Sequence, residues 1–421
     1  MKLNAILAAL CGLAQPTWEF VPPDFMWEPA LVLTETSGTH YITNRNFENL
    51  DTAVLGAIYT GAAGARYILN GCRTRSKTTG IYAGHAIGLE VYNHRHYGLN
   101  PDVDGLFNGG FIQGMYNALI VEHATFDGGG IRISGVACTE LRIRWNRCYN
   151  INGMKSNGTG LPGRAGYRTE TAGDGDVNVA FRQFFQANGV TIGDGSNTPE
   201  IAYNYVEGQP LLSRIGDYIS FIGSGGKWAG GAPGDGIGSY VDVHHNCLYG
   251  NYSWNPYDKP NTSRGVMFES LAADVNKGFV IIRDNWLSAI NGFIKINFNY
   301  HGSFIKILRN KGTYSHKLAG SWLSNPSFPY GADAGSTGTY QEWDGNSYHA
   351  HSQNYHATGA DDGSGPFVKN SGNEGNSQGI NWVKLATDAA HVATEADEAA
   401  VPASFWAYVV TQGFTIGCSL S

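Results

Sequence analysis

Charge is scarce in this chain. Only 15% of its 421 residues are Asp, Glu, Lys or Arg, and neither sign gathers into a run. A net charge of −7 without a basic stretch excludes nucleic acid as an expected partner, because phosphate binding draws on clustered Lys and Arg. No segment holds the roughly 18 consecutive apolar residues that a membrane-crossing helix needs, so no membrane span is expected. The six cysteines, Cys11, Cys72, Cys138, Cys148, Cys247 and Cys418, are scattered and form no Cys-x-x-Cys pair. That spacing excludes the common zinc frameworks, and neither a metal nor a cofactor is expected.

The chain is instead rich in glycine, with 57 residues, and in aromatics, at 12%. Low charge with much Gly, Asn, Tyr and Thr suits stacked strands joined by tight corners, and an extracellular or virion-surface setting. A hydrophobic share of 42% is ample for a core.

Five asparagines, Asn146, Asn204, Asn246, Asn285 and Asn310, sit in one repeating frame. Three residues before them lie Ile143, Ile201, Val243, Ile282 and Ile307, and two residues before those lie Leu141, Pro199, Val241, Val280 and Ile305. Two residues after them come Cys148, Val206, Leu248, Leu287 and Gly312. Alternation at period two predicts a strand with one buried face. The asparagine is expected to take the left-handed backbone of a corner. Strand, corner and strand, repeated, is the unit of a parallel β-helix; the runner-up, a β-propeller, lacks a blade-length signature. The asparagines are spaced by 58, 42, 39 and 25 residues (146 to 204, 246, 285 and 310). With roughly 20–30 residues per coil, the last step is one coil, the middle two are two coils each, and the first is two coils plus a loop. An earlier coil places Leu119, Val121, Ala124 and Phe126 22 residues before Leu141, Ile143, Asn146 and Cys148. Cys148 and Cys247 are assigned inward slots as small core residues, several coils apart.

Three regions follow. Residues 1–54 form an N-terminal docking or capping segment, crowded with Trp18, Phe20, Pro22, Pro23, Phe25, Trp27 and Pro29. Within it, Lys2 and the apolar run 6–14 resemble a signal peptide. Residues 55–318 carry the coils, interrupted near 153–178, 223–238 and 251–262. Residues 319–421 form a loop-rich, partly helical cap or oligomerisation region, with a helix-compatible stretch up to Ala399 and a second starting at Pro402. Phe405, Trp406, Tyr408 and Val409 are expected to pack on the last coil or on another subunit.

With its coils in this frame, the chain resembles the right-handed parallel β-helix proteins, the group of pectate lyases, polygalacturonases and tailspike proteins of tailed bacteriophages. The resemblance implies an all-β, right-handed solenoid with a long groove suited to polysaccharide. The enzymes' catalytic motifs do not carry over. Gly84–His85–Ala86 is the nearest approach to the Gly-His-Gly of polygalacturonases, and the Arg-x-x-Arg-x-Pro setting of pectate lyases is absent.

Candidate chemistry lies in the interrupting loops. Asp217, Asp235 and Glu269 could supply the two acids that flank a glycosidic bond, set against ordinary turn chemistry for Asp235–Gly236. Arg164 and Arg168 suit uronate carboxylates, which arginine grips bidentately. Trp228, Tyr252, Trp254 and Tyr257 offer faces for sugar rings. His349, His351 and His356 have a spacing that could hold a metal, though a loop setting speaks against it. His244 and His245 are adjacent and on a strand would point apart.

The resulting expectation is a phage virion surface protein, whether tail spike, fibre or head decoration, that binds host polysaccharide. It would contact other virion proteins through residues 1–50 and assemble as a homotrimer. The alternative is a secreted polysaccharide lyase or glycoside hydrolase.

Overall fold

The structure is a computed structural model. It describes residues 25–51, 53–99, 110–149, 151, 183–208, 217–227, 239–251, 264–269, 277–290, 292–297, 304–314, 340–344, 347–350, 383–384 and 394–420. Strands dominate, and the described residues contain one α-helix, α1 (Glu395–Gln412).

The strands fall into three rows. The first holds Thr39–Thr43, Arg66–Asn70, Glu140–Arg144, Glu200–Ala202, Val241–His244, Lys277–Arg283 and Phe304–Leu308. The second is a twelve-stranded sheet from Glu28–Pro29 to Val383–Lys384. The third includes Ile131–Ser134, Phe185–Asn188, Asp217–Ile222, Arg264–Glu269 and Gly292–Asn297. Two long strands, Thr79–Tyr92 and Gly110–Glu122, run through both the third and first rows and join them. Every named pairing is parallel except Gly225–Lys227 against Lys277–Arg283.

The period-two frame is the reason for this register. Val121, Ile143, Ile201, Val243, Ile282 and Ile307 pair in succession along the first row, and each is fully buried. Each such side chain removed from water contributes about 1.5–3 kcal/mol. One residue of slip would turn the whole set to the other face.

The asparagines do something other than expected. All five are buried, and they bond one another in sequence. Asn146 Nδ2 donates to Asn204 Oδ1 (3.0 Å), Asn204 to Asn246 (2.8 Å), Asn246 to Asn285 (3.0 Å) and Asn285 to Asn310 (2.9 Å). Each Oδ1 also accepts the backbone N–H of the preceding pass, from Ala124 to Asn285. Each Nδ2 also reaches the carbonyl of a buried strand residue, from Val121 to Ile282. The left-handed backbone belongs to the residue before each asparagine: Trp145, Tyr203, His245, Asp284 and Arg309 have φ of 52–57°. The corner is thus divided between two residues, one for the bend and one for the buried hydrogen bonds.

The coil count is also corrected. Ile143 pairs directly with Ile201, Ile201 with Val243, and Val243 with Ile282. Steps of 58, 42 and 39 residues are therefore each a single pass with residues inserted at its corners. Ala124 stands where the 22-residue offset puts it, and its backbone N–H donates to Asn146 Oδ1 as the later passes do to theirs. The paired strands extend beyond 55–318 on both sides, from Glu28 to Lys384. The early passes were hidden because Cys72 and His94 hold the asparagine slot there, as their pairing neighbours show.

Cys148 lies in the main core, two passes from the strand of Cys247. Cys247 itself is one residue out of the inward register and packs under α1 with Tyr205, Phe405 and Val409. Both cysteines are free. The helix is capped by Thr394 and by left-handed Gly413, and it runs unbroken through Pro402. Proline cannot donate to the carbonyl four residues back. That carbonyl, of Glu398, instead accepts the Ser288 hydroxyl of the second row at 2.9 Å. The helix therefore docks on the middle passes of the second row instead of on the last one.

A polar pocket of side chains interrupts the core near the start. His94 Nε2 and His96 Nδ1 both bond Thr74 Oγ1, at 2.9 and 3.0 Å. Burial, with the nearby His96 and Arg73 charges, holds His94 well below the usual imidazole range. The unfolded chain takes up this proton below about pH 6.5 and the folded chain does not, so stability falls as pH drops below that value. The slope approaches ~1.4 kcal/mol per pH unit. A melting temperature that declines from pH 7.5 to pH 5, with a shallower decline in His94→Leu, is the expected result; equal slopes would refute it.

Candidate functional site

The corners differ in how much chain they carry. Between the second and third rows, residues 128–130 suffice on one pass, whereas 150–184, 208–216 and 252–263 intervene on the next three. The bounding strands are neighbours: Arg147–Tyr149, Tyr205–Glu207 and Cys247–Asn251 on one side, and Phe185–Asn188, Asp217–Ile222 and Arg264–Glu269 on the other. Three long segments therefore leave and rejoin the stack at one corner on successive passes. Residues 228–238 and 270–276 do the same at the far end of the third row. The third row is thus flanked at both ends by inserted chain, and connecting segments on a rigid scaffold are where functional residues concentrate.

The outward register of this row is polar. Its central column runs Tyr59, Tyr82, Gln113, Arg132, Gln186, Ser220, Met267 and Lys295. The column two positions on runs Ser134, Asn188, Ile222, Glu269 and Asn297. Gln186 and Ser220 are 2% and 0% exposed, yet Gln186 Oε1 and Ser220 Oγ have no hydrogen-bond partner among the described residues. At the head of the same strands, Gln183 Nε2 donates to Asp217 Oδ2 at 3.3 Å, and Gln183 Oε1 is likewise unpartnered. Buried polar atoms are nearly always satisfied, so three such atoms on two neighbouring passes are unusual. Burial also lowers the Arg132 guanidinium from its ordinary value. Amides, a hydroxyl and a guanidinium are the groups that bind sugar hydroxyls and carboxylates.

Of the residues expected from sequence, Asp217 belongs to this row. Glu269 belongs to it by register, but the two are not brought together. Asp217 pairs with Arg264, and Glu269 pairs with Ile222, at opposite ends of adjoining strands. Five residues of strand separate them by roughly 17 Å, too far for a pair of acids on one glycosidic bond. Arg164, Arg168, Trp228, Asp235, Tyr252, Trp254 and Tyr257 lie outside the described residues, in the inserted segments at the two ends of the row. His349 is on Ser347–Ala350, while His351 and His356 lie outside the described residues. Arg132, Gln183, Gln186 and Ser220 were not found by sequence reasoning. A polar residue at an outward strand position is ordinary, and only the unpartnered Gln183, Gln186 and Ser220 oxygens set those three apart.

The outward face of the first row is different in kind. Arg66 bridges Glu90 and Glu140, Arg144 bridges Glu122 and Glu200, and Arg283 bridges Asp242 and Asp284. Every one of these charges is answered across a pass, which makes the face a structural ladder. Within it, His244 Nε2 contacts Glu200 Oε1 at 2.7 Å. Burial raises the Glu200 carboxyl, but the hydrogen bond and charge of His244 and the charge of Arg144 outweigh it, and its net shift is downward. His244 and His245 do not point apart as strand alternation would have it. The left-handed turn at His245 swings its ring back, and the two Nδ1 atoms meet at 2.8 Å.

Among the described residues no group of three His, Cys, Asp or Glu side chains is placed to hold a metal, and no helix is long and apolar enough to cross a membrane. No protein-family model, no curated protein and no solved structure matches this chain.

Proposed function

We propose that the three parallel rows are the faces of a right-handed β-helix solenoid, and that this protein is a virion surface spike, fibre or head decoration that binds host polysaccharide. The handedness follows the strong rule for parallel crossovers. The observation that carries the reading is the third row's outward face: a mainly polar column repeated pass after pass, with inserted chain at both ends. A linear polymer laid along the stack would meet the same strand register on each pass, every ~4.8 Å. Trp254, Tyr252, Tyr257 and Trp228 would add ring faces from the flanking segments, and Arg164 and Arg168 would grip carboxylates.

Docking through residues 1–50 is supported by apolar exposure on the earliest passes, where Met26 is 92% and Tyr41 71% exposed. Trimerisation would bury such flanks in a spike. The virion surface is the proposed location, and a secreted form the alternative.

The test is retention of the purified protein on immobilised capsular and exopolysaccharides of candidate hosts. Gln113→Leu, at a half-buried position of the same column, is expected to weaken retention about tenfold, the worth of one good hydrogen bond, with an unchanged melting temperature. Trp254→Ala is expected to weaken it as well. Full retention in both variants, or no retention on any polysaccharide, would defeat the proposal. Shortening of the retained polymer, lost in Asp235→Asn or Arg168→Ala, would point to the lyase or hydrolase instead.

A further inference from the structure

The chain end after α1 is tied back across the stack. Gly417 N–H donates to Trp145 O (2.7 Å), Cys418 N–H to Thr125 Oγ1 (2.8 Å) and Ser419 N–H to Asn93 Oδ1 (2.7 Å). Helix and tail together form a strap, residues 394–420, that runs from the pass of Trp286 back to that of Asn93. Beneath it the corner residues make a column of rings. His123 stacks on Trp145 (centroids 5.1 Å), Trp145 on Tyr203 (6.3 Å) and Tyr203 on His245 (5.2 Å). The strap lays Phe414 against Trp145 and Tyr203, and Tyr408 flat on His245 at 5.4 Å and 17°.

We infer that the His244–His245 pair is a proton-sensitive latch that holds this strap closed at neutral pH and releases it on acidification. The geometry of the pair is the reason. Two Nδ1 atoms at 2.8 Å share one proton, so one ring must present a bare nitrogen to the other. Two carboxylates lie at His244, with Glu200 at 2.7 Å and Asp242 at 3.9 Å from its Nε2. Protonation of His245 would place a cation beside the His244 ring, buried between the Tyr203 and Tyr408 rings. The other charges near it are Asp284, which favours its protonation, and Arg283 and Arg309, which oppose it. Burial and the His244 charge together depress His245 to about 4. With the strap lifted, the Tyr408 ring is gone and His245 moves back toward the ordinary imidazole value of about 6.5. The open form therefore takes up a proton that the closed form refuses. Closure is fully favoured above pH 6.5 and weakens as pH falls through that value toward 4.

Hydrogen exchange on the full chain tests this. Protection of the amides of Val409–Gly413 and Gly417–Ser419, corrected for intrinsic rate, should fall on the order of tenfold or more between pH 7 and pH 5. Protection of Val241–His244 should hold over the same range. His245→Phe keeps a ring at a left-handed position of the kind that Trp145 and Tyr203 already occupy, and should leave strap protection flat with pH. Tyr408→Leu, which spares the histidine pair, should shift the transition to higher pH. Wild-type strap protection that does not change with pH, or the same decline in His245→Phe, overturns the latch. Should His245→Phe fail to fold, an unshifted transition in Tyr408→Leu overturns it equally.

Discussion

Replacing Asn204 by alanine is expected to lower stability by about 3–5 kcal/mol, a large part of the 5–15 kcal/mol that a folded domain commands. The side chain sits at the middle of the amide ladder and is wholly buried. Its Oδ1 accepts from both the backbone N–H and the Nδ2 of Asn146, and its Nδ2 donates to Ile143 O and Asn246 Oδ1. Alanine leaves those groups in the core with nothing to bond, and each costs about 1–3 kcal/mol before relaxation. The ladder's bonds also point one way, each Nδ2 donating to the Oδ1 of the next pass, so each polarises its neighbour. Chemical denaturation of the variant reads the loss directly. A change below 1 kcal/mol would show that the ladder is incidental to the stack.

Gly130→Ala is expected to do comparable damage, about 3 kcal/mol or more, or to prevent folding. A Cβ at Gly130 would lie 1.7 Å from Gln183 O and 2.5 Å from Phe184 O. Neither atom can yield cheaply, because Phe184 O accepts from Ile131 N and Gly130 O accepts from Phe111 N and Ile112 N. Any relaxation must push Gln183 away, and with it the bond to Asp217 at the head of the polar row. Gly128→Ala is the control. Its Cβ meets nothing within 4 Å, and only the φ of 76° strains it, for a cost of about 1 kcal/mol. Thermal melts that rank Gly128→Ala as the worse of the two would refute the steric account.

The strands around Ile143, Val243, Ile282 and Ile307 were legible because burial on one face writes a period of two into the chain. Their stacking order was less legible. A pass length taken from solenoid proteins in general turned single passes of 39 and 42 residues into pairs, and only pairing such as Ile201 with Val243 corrects that. The left-handed corners went to the wrong residue because Trp145, Tyr203 and His245 lack any propensity for them. Neighbouring rings and the asparagine bonds hold those residues there. The earliest passes use Cys72 and His94 in the slot, so no repeat announced them. Pro402 read as a helix start, since nothing in sequence reveals that Ser288 would take over the carbonyl it strands. Of the site, the inserted segments were visible as glycine-rich interruptions. Gln186 and Ser220 were not, because outward polar residues are what any strand shows to solvent.

One pass closes in 22 residues and the next in 58, on the same register. Lengthening the loop by that much costs only ~0.9 kcal/mol of closure entropy. The scaffold is therefore nearly indifferent to what is spliced into its corners. Descendants of such a chain could exchange whole inserted segments while inheriting the frame untouched.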